Sequence, residues 1–88
     1  MVRYRVLISG QVQGVTVRAA CQRMAGQCGV AGWVRNLDDG RVEAVFEGPA
    51  GDVKRLLDWA RHGPRLAVVS DVAVQTEQPE GLGAFAVE

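Results

Sequence analysis

The sequence predicts an α+β fold built as one domain over residues 1–88, and three observations support this prediction. The length is enough for one domain, since domains usually have about 100 to 150 residues, and it is too short for two. Fifteen valines against one isoleucine and six leucines favour several short strands, because β-branched side chains suit a pleated surface. Two other segments repeat their apolar residues with the period of a helix.

The first predicted strand covers residues 2–9. Its side chains alternate largely between apolar and polar, which is typical of a strand with one buried face, and Gly10 ends the run. Residues 10–16 then carry two glycines and two glutamines without a settled period. This composition predicts a loop between the first strand and the first helix.

The first predicted helix begins at Val17 and ends at Cys28. Its apolar residues recur at intervals of three and four, which places them on one face. Thr16 is the predicted N-cap, since its hydroxyl can accept a hydrogen bond from a free amide of the first turn. Gly29 is predicted to follow the helix, where glycine adopts the left-handed conformation without a steric penalty.

A hairpin is predicted for the middle of the chain. Residues 30–34 and 41–47 have the apolar patterns of two strands, and residues 36–40 join them. The pair Asp39-Gly40 supplies the left-handed backbone that a tight turn needs. The two strands are therefore expected to be antiparallel neighbours.

The last part of the chain predicts a helix followed by two strands. Gly48-Pro49 begins the helix, with proline in its first turn, and Gly63-Pro64 ends it. Residues 67–77 alternate as a strand does, but the apolar phase slips, which indicates a bulge near Ser70-Asp71. Residues 84–87 are apolar and are expected to add an edge strand.

The resulting order β-α-β-β-α-β is that of a ferredoxin-like fold, with one antiparallel sheet and both helices on one face. This architecture carries unrelated activities, so the fold alone does not predict function. Ten basic residues balance ten acidic ones, and a net charge of zero gives no overall attraction to nucleic acid. RNA binding is disfavoured further because the sheet lacks the aromatic run on which bases stack.

Several classes of partner are not expected. Residues 84–87, like residues 66–69, form an apolar run of only four residues, far shorter than the roughly 18 residues of a membrane-spanning helix, and the start of the chain lacks a signal peptide. We therefore expect a cytoplasmic protein without a membrane partner. Cys21 and Cys28 are expected to be buried and reduced, since their spacing on one helix is too wide for a disulfide. No metal-ligand motif is present and His62 stands alone, so we expect no metal.

Arg18 breaks a local rule and is the first candidate site residue. In the first turn of a helix, a cation meets the positive end of the helix dipole and free amide groups. This position is unfavourable for a lone cation. A bound phosphate would make it favourable, because the phosphate would meet the amides, the helix dipole and the guanidinium together. The alternative is that Arg18 points into solvent.

Asn36, at the end of the second strand, is the second candidate. Asparagine is common in turns, where it has no catalytic part, and this is the alternative interpretation. The pattern also leaves open which end of the second strand approaches the loop after the first strand.

Two segments resemble the signatures of a known family. Residues 10–18, GQVQGVTVR, resemble the G-x-V-Q-G-V-x-F-R signature of the acylphosphatase family. Residues 32–36, GWVRN, followed by Asp39-Gly40, are similar to its second signature. The likeness covers nearly the whole chain, and the fold of that family agrees with the predicted order of elements.

The resemblance implies hydrolysis of the carboxyl-phosphate anhydride in small acyl phosphates, which gives a carboxylate and inorganic phosphate without metal or cofactor. Arg18 matches the phosphate-binding arginine of the family, and Asn36 matches the asparagine that positions the attacking water. Inorganic phosphate is then both product and competitive ligand, and we expect a monomer. The phosphate-binding loop corresponds to Gln13, Gly14, Val15, Thr16 and Val17.

Val17 departs from the family pattern, which usually has an aromatic residue there. The smaller side chain removes packing worth about 1 to 3 kcal/mol beneath the loop, unless neighbours fill the space.

Two classes are the alternatives to a free-standing acylphosphatase. One is an amino-acid-sensing module without catalysis. The other, and the nearer, is the carbamoyl-phosphate-handling domain of hydrogenase maturation proteins. In those proteins a zinc-finger region is expected after the domain, and the sequence shows none after Glu88.

Overall fold

The structure, a computed structural model, describes residues 1–13 and 17–88. Every element expected from the sequence is present in them, and the boundaries differ by one or two residues at most. The elements follow one another as β1 (Val2–Gln11), α1 (Val17–Cys28), β2 (Ala31–Asn36), β3 (Val42–Gly48), α2 (Ala50–His62), β4 (Val68–Glu77) and β5 (Phe85–Val87).

The strands of the described residues form one sheet in the order β4-β1-β3-β2-β5. β1 is antiparallel to β3 and β4, and β2 is antiparallel to β3. β5 is parallel to β2, so the expectation of a wholly antiparallel sheet is wrong at this edge. The cause is the path of residues 78–84. They leave β4 at the end of the sheet where β2 begins, so β5 starts beside the start of β2 and runs in the same direction.

The pairing of β1 with β4 contains the predicted bulge. Ser9 pairs with Asp71 whereas Gly10 pairs with Val69, so Ser70 is the extra residue of a β-bulge. Gly10 has a φ of +127°, and a Cβ atom there would lie 2.1 Å from the carbonyl oxygen of Val68. The two strands can approach this closely only because glycine has no side chain.

Both helices pack on one face of the sheet, which confirms the ferredoxin-like arrangement. The core lies between them and the three central strands, where full burial of each large apolar side chain contributes roughly 1.5 to 3 kcal/mol. The sheet side of this core consists of Val6, Ile8, Val34, Val42, Ala44 and Phe46. The helix side consists of Val17, Ala20, Cys21 and Ala25 from α1 and Val53, Leu56 and Ala60 from α2.

The helix ends follow the predicted chemistry, with one difference. After α1, the Val30 N–H donates to the Ala25 carbonyl at 2.9 Å and the Gly29 N–H donates to the Gly26 carbonyl at 3.4 Å. With Gly29 at a φ of 70°, this is a Schellman motif. Pro49 is the N-cap of α2, with a ψ of 140°, and not part of its first turn. Pro49 lies just before the helix with an extended backbone, and its carbonyl accepts a hydrogen bond of the helical pattern.

The opposite face of the sheet, which we call the open sheet face, carries ion pairs. Arg5 contacts Glu43 at 2.9 Å and Glu77 at 2.7 Å, and Arg35 contacts Glu43 at 2.6 Å. Arg5 and Arg35 also lie over Trp33, 5.6 and 5.2 Å from the ring centroid. The sequence predicts an alternating strand here, but it does not predict this network.

Candidate active site

The end of β1, the start of α1 and the turn between β2 and β3 meet at one end of the sheet. Gln13 makes the contact: its side-chain amide donates to the carbonyl oxygens of Leu37 at 2.7 Å and Arg41 at 2.9 Å. The end of β2 that carries Asn36 is therefore the end that approaches the loop after β1, which the sequence pattern left open.

The turn between β2 and β3 is closed by its own residues. The Leu37 N–H donates to the Arg41 carbonyl at 2.8 Å, and Gly40 has the predicted left-handed backbone, with a φ of 94°. Asp39 accepts hydrogen bonds from the Arg41 guanidinium at 2.8 Å and from the Arg41 N–H at 3.1 Å, and these lower the pKa of Asp39. These hydrogen bonds do not involve the Asn36 side chain.

Asn36 is the last residue of β2 and pairs with Val42 of β3. Alternation along the strand places it on the same side as Val34, which the helices cover, but Asn36 itself is exposed. Its side chain makes no hydrogen bond with another residue among 1–13 and 17–88. Asn36 is therefore an exposed residue at the end of the sheet where Gln13 contacts the turn.

Arg18 is held near the same end by the C-terminal part of the chain. It is half-buried, and its Nη1 donates to the main-chain oxygen of Glu88 at 2.7 Å. The Glu88 N–H in turn donates to the Val34 carbonyl at 2.8 Å. Val34 precedes Asn36 by two positions in β2, so Glu88 links the Arg18 side chain to the strand that carries Asn36.

The contact between Arg18 and Glu88 has no signal in the local sequence, because 70 positions separate the two residues. The side-chain role of Gln13 is also new, since the resemblance assigns that residue to the loop only through its main chain. The sequence offers one hint, a polar side chain inside the glycine-containing loop that follows the first predicted strand.

The predicted phosphate-binding loop is only partly described. Gly14, Val15 and Thr16 lie outside the described residues, and with them the predicted N-cap. Val17 is 4% exposed and packs in the core with Cys21, so this position is buried despite the smaller side chain. Burial raises the pKa of the Cys21 thiol to about 12, which keeps it protonated at neutral pH.

Two further observations concern residues 1–13 and 17–88 alone. No group of three or more His, Cys, Asp or Glu side chains in them is placed to hold a metal ion. Neither helix in them is long and apolar enough to cross a membrane.

Comparison with known proteins shows the family of this chain. A family model described as Acylphosphatase matches residues 4–87. The chain belongs to the acylphosphatase family. A curated acylphosphatase from Gloeobacter violaceus is 59% identical over 98% of this chain and 92% of its own length. The resemblance found in the two signature segments is thereby confirmed.

Solved structures agree with the acylphosphatase fold. The acylphosphatase from Bacillus subtilis has a TM-score of 0.96 at 36% identity, over 100% of this chain and 99% of that chain. HypF from T. kodakarensis has a TM-score of 0.87 at 28% identity, over 100% of this chain and 12% of that chain. The same fold therefore forms almost all of one protein and a small part of the other.

Membership of the acylphosphatase family implies an enzyme that hydrolyses acyl phosphates and releases inorganic phosphate. The name acylphosphatase applies to curated relatives over nearly the full length of this chain. These matches favour an acylphosphatase enzyme over a sensing module without catalysis.

Proposed function

We propose that acyl phosphate hydrolysis takes place at the end of the sheet where Gln13, Arg18 and Asn36 lie. The main-chain amides of residues 13–17 surround the phosphoryl oxygens, and the Arg18 guanidinium binds them with two parallel donors. Asn36 positions the attacking water. The substrates are small acyl phosphates, and no metal or cofactor takes part.

The observation that supports this proposal is the pair of contacts that bring these elements together. Gln13 ties the end of β1 to the turn after Asn36 through two hydrogen bonds, at 2.7 and 2.9 Å. Arg18 is tied to β2 through Glu88 at 2.7 Å. The same end of the sheet then carries a cation, the N-terminus of α1 and an exposed asparagine. This combination suits a bound phosphoryl group and a water molecule.

The chemistry needs few groups. The water oxygen bonds to phosphorus, the bond from phosphorus to the acyl oxygen breaks, and the carboxylate leaves with the electron pair. A carboxylate is a good leaving group and needs no strong acid, and a phosphoryl oxygen of the substrate can take the proton of the water. Phosphoryl transfer then depends mainly on positioning and on stabilising charge on the equatorial oxygens.

The test compares Arg18→Ala with Asn36→Ala. Arg18→Ala should lose both kcat and affinity for inorganic phosphate, because the guanidinium contacts the phosphoryl group before and during transfer. Asn36→Ala should lower kcat by about 100-fold or more with phosphate affinity nearly intact, because its amide acts mainly in the transition state. Turnover of a small acyl phosphate and the phosphate-dependent shift in Tm measure both effects. Phosphate at ~100 times its Kd should add about 2.7 kcal/mol of stability to the parent.

Asp39→Ala is the matched control, because it removes hydrogen bonds that close the same turn. If Asn36 were only a turn residue, Asn36→Ala and Asp39→Ala would behave alike, with a lower Tm and unchanged kcat per folded molecule. That result would contradict the catalytic role of Asn36. An unchanged Tm shift with phosphate in Arg18→Ala would contradict the role of Arg18. Cytoplasmic location and a monomeric state stay predictions from the sequence.

A further inference from the structure

Glu47 of β3 is a buried carboxylate that the proposed mechanism does not use. It is 1% exposed and lies on the open sheet face. Its oxygens accept hydrogen bonds from three consecutive main-chain N–H groups, those of Glu80 at 2.7 Å, Gly81 at 2.9 Å and Leu82 at 2.7 Å. The Arg3 guanidinium contacts it at 3.4 Å.

The three N–H groups converge because Gly81 has a left-handed backbone, with a φ of +83°. Successive amides that point to one side form a concave site for an anion, and here the anion is a side chain of the same molecule. The carboxylate fixes the main chain of residues 80–82 against the sheet. It does so just before the chain enters β5.

Residues 78–88, which we call the C-terminal segment, join this anchor to the candidate active site. The Gly32 N–H donates to the Ala84 carbonyl at 3.0 Å, and β5 then runs parallel to β2. The segment ends at Glu88, whose N–H contacts β2 at 2.8 Å and whose main-chain oxygen accepts from Arg18 at 2.7 Å. Glu47 therefore holds one end of the segment, and Arg18 contacts the other.

We infer that Glu47 is a positioning residue for Arg18, acting through the C-terminal segment; this rests on the proposed phosphate-binding role of Arg18. One guanidinium nitrogen is held by the Glu88 oxygen, which leaves other N–H groups to bind the anion. An arginine already fixed in this way loses less side-chain freedom when phosphate binds. When the anchor at residues 80–82 is lost, the Arg18 side chain is free again, and each phosphate that binds has to order it.

Two variants test the inference by independent routes. Glu47→Gln removes the charge from the anchor. Gly81→Ala strains the same main chain at its positive φ, while its Cβ would enter open space. Both should raise the Kd for inorganic phosphate by about threefold to tenfold. Both should also speed hydrogen exchange of the Glu88 and Gly32 amides, which hold the segment to β2. Measurements are made on protein shown to be folded, well below the Tm of each variant.

Two matched controls separate positioning from general loss of stability. Glu77→Gln removes the negative charge that pairs with Arg3 and Arg5 on the open sheet face, and Glu77 makes no hydrogen bond to the main chain of residues 80–82 among the described residues. Gly83→Ala adds a Cβ to the same segment, in open space and without a positive φ. Both controls should keep the phosphate Kd of the parent, even where Glu77→Gln lowers the Tm.

Arg18→Ala separates this inference from the proposal on which it rests. If Arg18→Ala weakens phosphate binding while Glu47→Gln and Gly81→Ala keep the parental Kd, the positioning role of Glu47 is wrong and the proposed function stands. The same conclusion follows if both variants release the segment in hydrogen exchange without changing the Kd. If Arg18→Ala itself leaves the Kd unchanged, the proposed function fails and the inference fails with it.

Discussion

Gly32 shows how a single residue sets the spacing of two strands. It lies in β2 opposite Phe46, with a φ of +140°. A Cβ atom at this position would lie 1.8 Å from the carbonyl oxygen of Val45, which is main chain and cannot move aside as a flexible side chain would. The signature segment that carries Gly32 therefore includes a residue required by steric packing as well as the candidate Asn36.

We expect Gly32→Ala to lower the free energy of unfolding by about 3 kcal/mol or more, because it adds backbone strain and a collision with β3. Gly26→Ala is the control, since Gly26 lies in α1 with open space around the added Cβ. It should raise stability by up to ~1 kcal/mol through helix propensity. Urea unfolding of both variants measures this. A loss below about 1 kcal/mol for Gly32→Ala would mean that β2 and β3 separate easily at this point.

At the scale of one element, α1 buries one face and leaves its end open. Cys21 is 0% exposed, whereas Cys28 in the last turn is half-buried. The expectation of two buried thiols is therefore correct for Cys21 and wrong for Cys28. The sequence period identifies the apolar face of the helix, but it does not give the exposure of each residue on that face, and Cys28 packs against the core while staying partly exposed.

The two thiols should differ in their reaction with a thiol reagent. Cys28 should be labelled in the folded protein, while Cys21 should react only after unfolding, because it is buried and burial raises its thiol pKa to about 12. Labelling of Cys28 should leave acyl phosphate turnover unchanged, since neither thiol takes part in the proposed chemistry. Mass spectrometry before and after unfolding counts the labels, with Cys28→Ser as the control. Equal labelling rates for the two cysteines would contradict this prediction.

Across the whole molecule, the open sheet face depends on ionised carboxylates. Amides of the C-terminal segment, that of Glu80 first, lower the pKa of Glu47 despite its burial. Burial raises the pKa of Glu43, but Arg35 and Arg5 outweigh it, and Arg5 and Arg3 lower the pKa of Glu77. Each carboxyl therefore binds its proton less readily in the folded protein than in the unfolded chain.

This difference predicts loss of stability in acid. The stabilisation is fully present above the ordinary glutamate pKa of 4.5 and is lost as the pH falls through the lower values of the folded protein. The free energy of unfolding in urea should therefore fall as the pH drops below 4.5. Glu47→Gln should make this fall shallower, because it removes one of the titrating groups. Equal stability of the parent at pH 6 and at pH 3 would contradict the prediction.

Much of the candidate site could be proposed from the sequence because its residues lie in two short, recognisable segments. Arg18 and Asn36 each stand at a marked position, the start of a helix and the end of a strand before Asp39-Gly40. The bulge at Ser70 could also be predicted from the sequence, since a phase slip in an alternating strand is a local property. The hydrogen-bond partners of Glu47 and Arg18 could not be predicted from the sequence, because no local pattern specifies contacts between residues 33 to 70 positions apart.

The sequence by itself determined the elements, their order and the family, because period, capping and turn chemistry act over a few neighbouring residues. Only the tertiary structure decided that β5 is parallel to β2, that the Asn36 end of β2 lies beside Gln13, and that Glu47 anchors residues 80–82. These features depend on where the chain crosses from β4 to the far edge of the sheet. That path is selected by burial and hydrogen bonding summed over the whole fold, which pairs residues without regard to their distance in sequence.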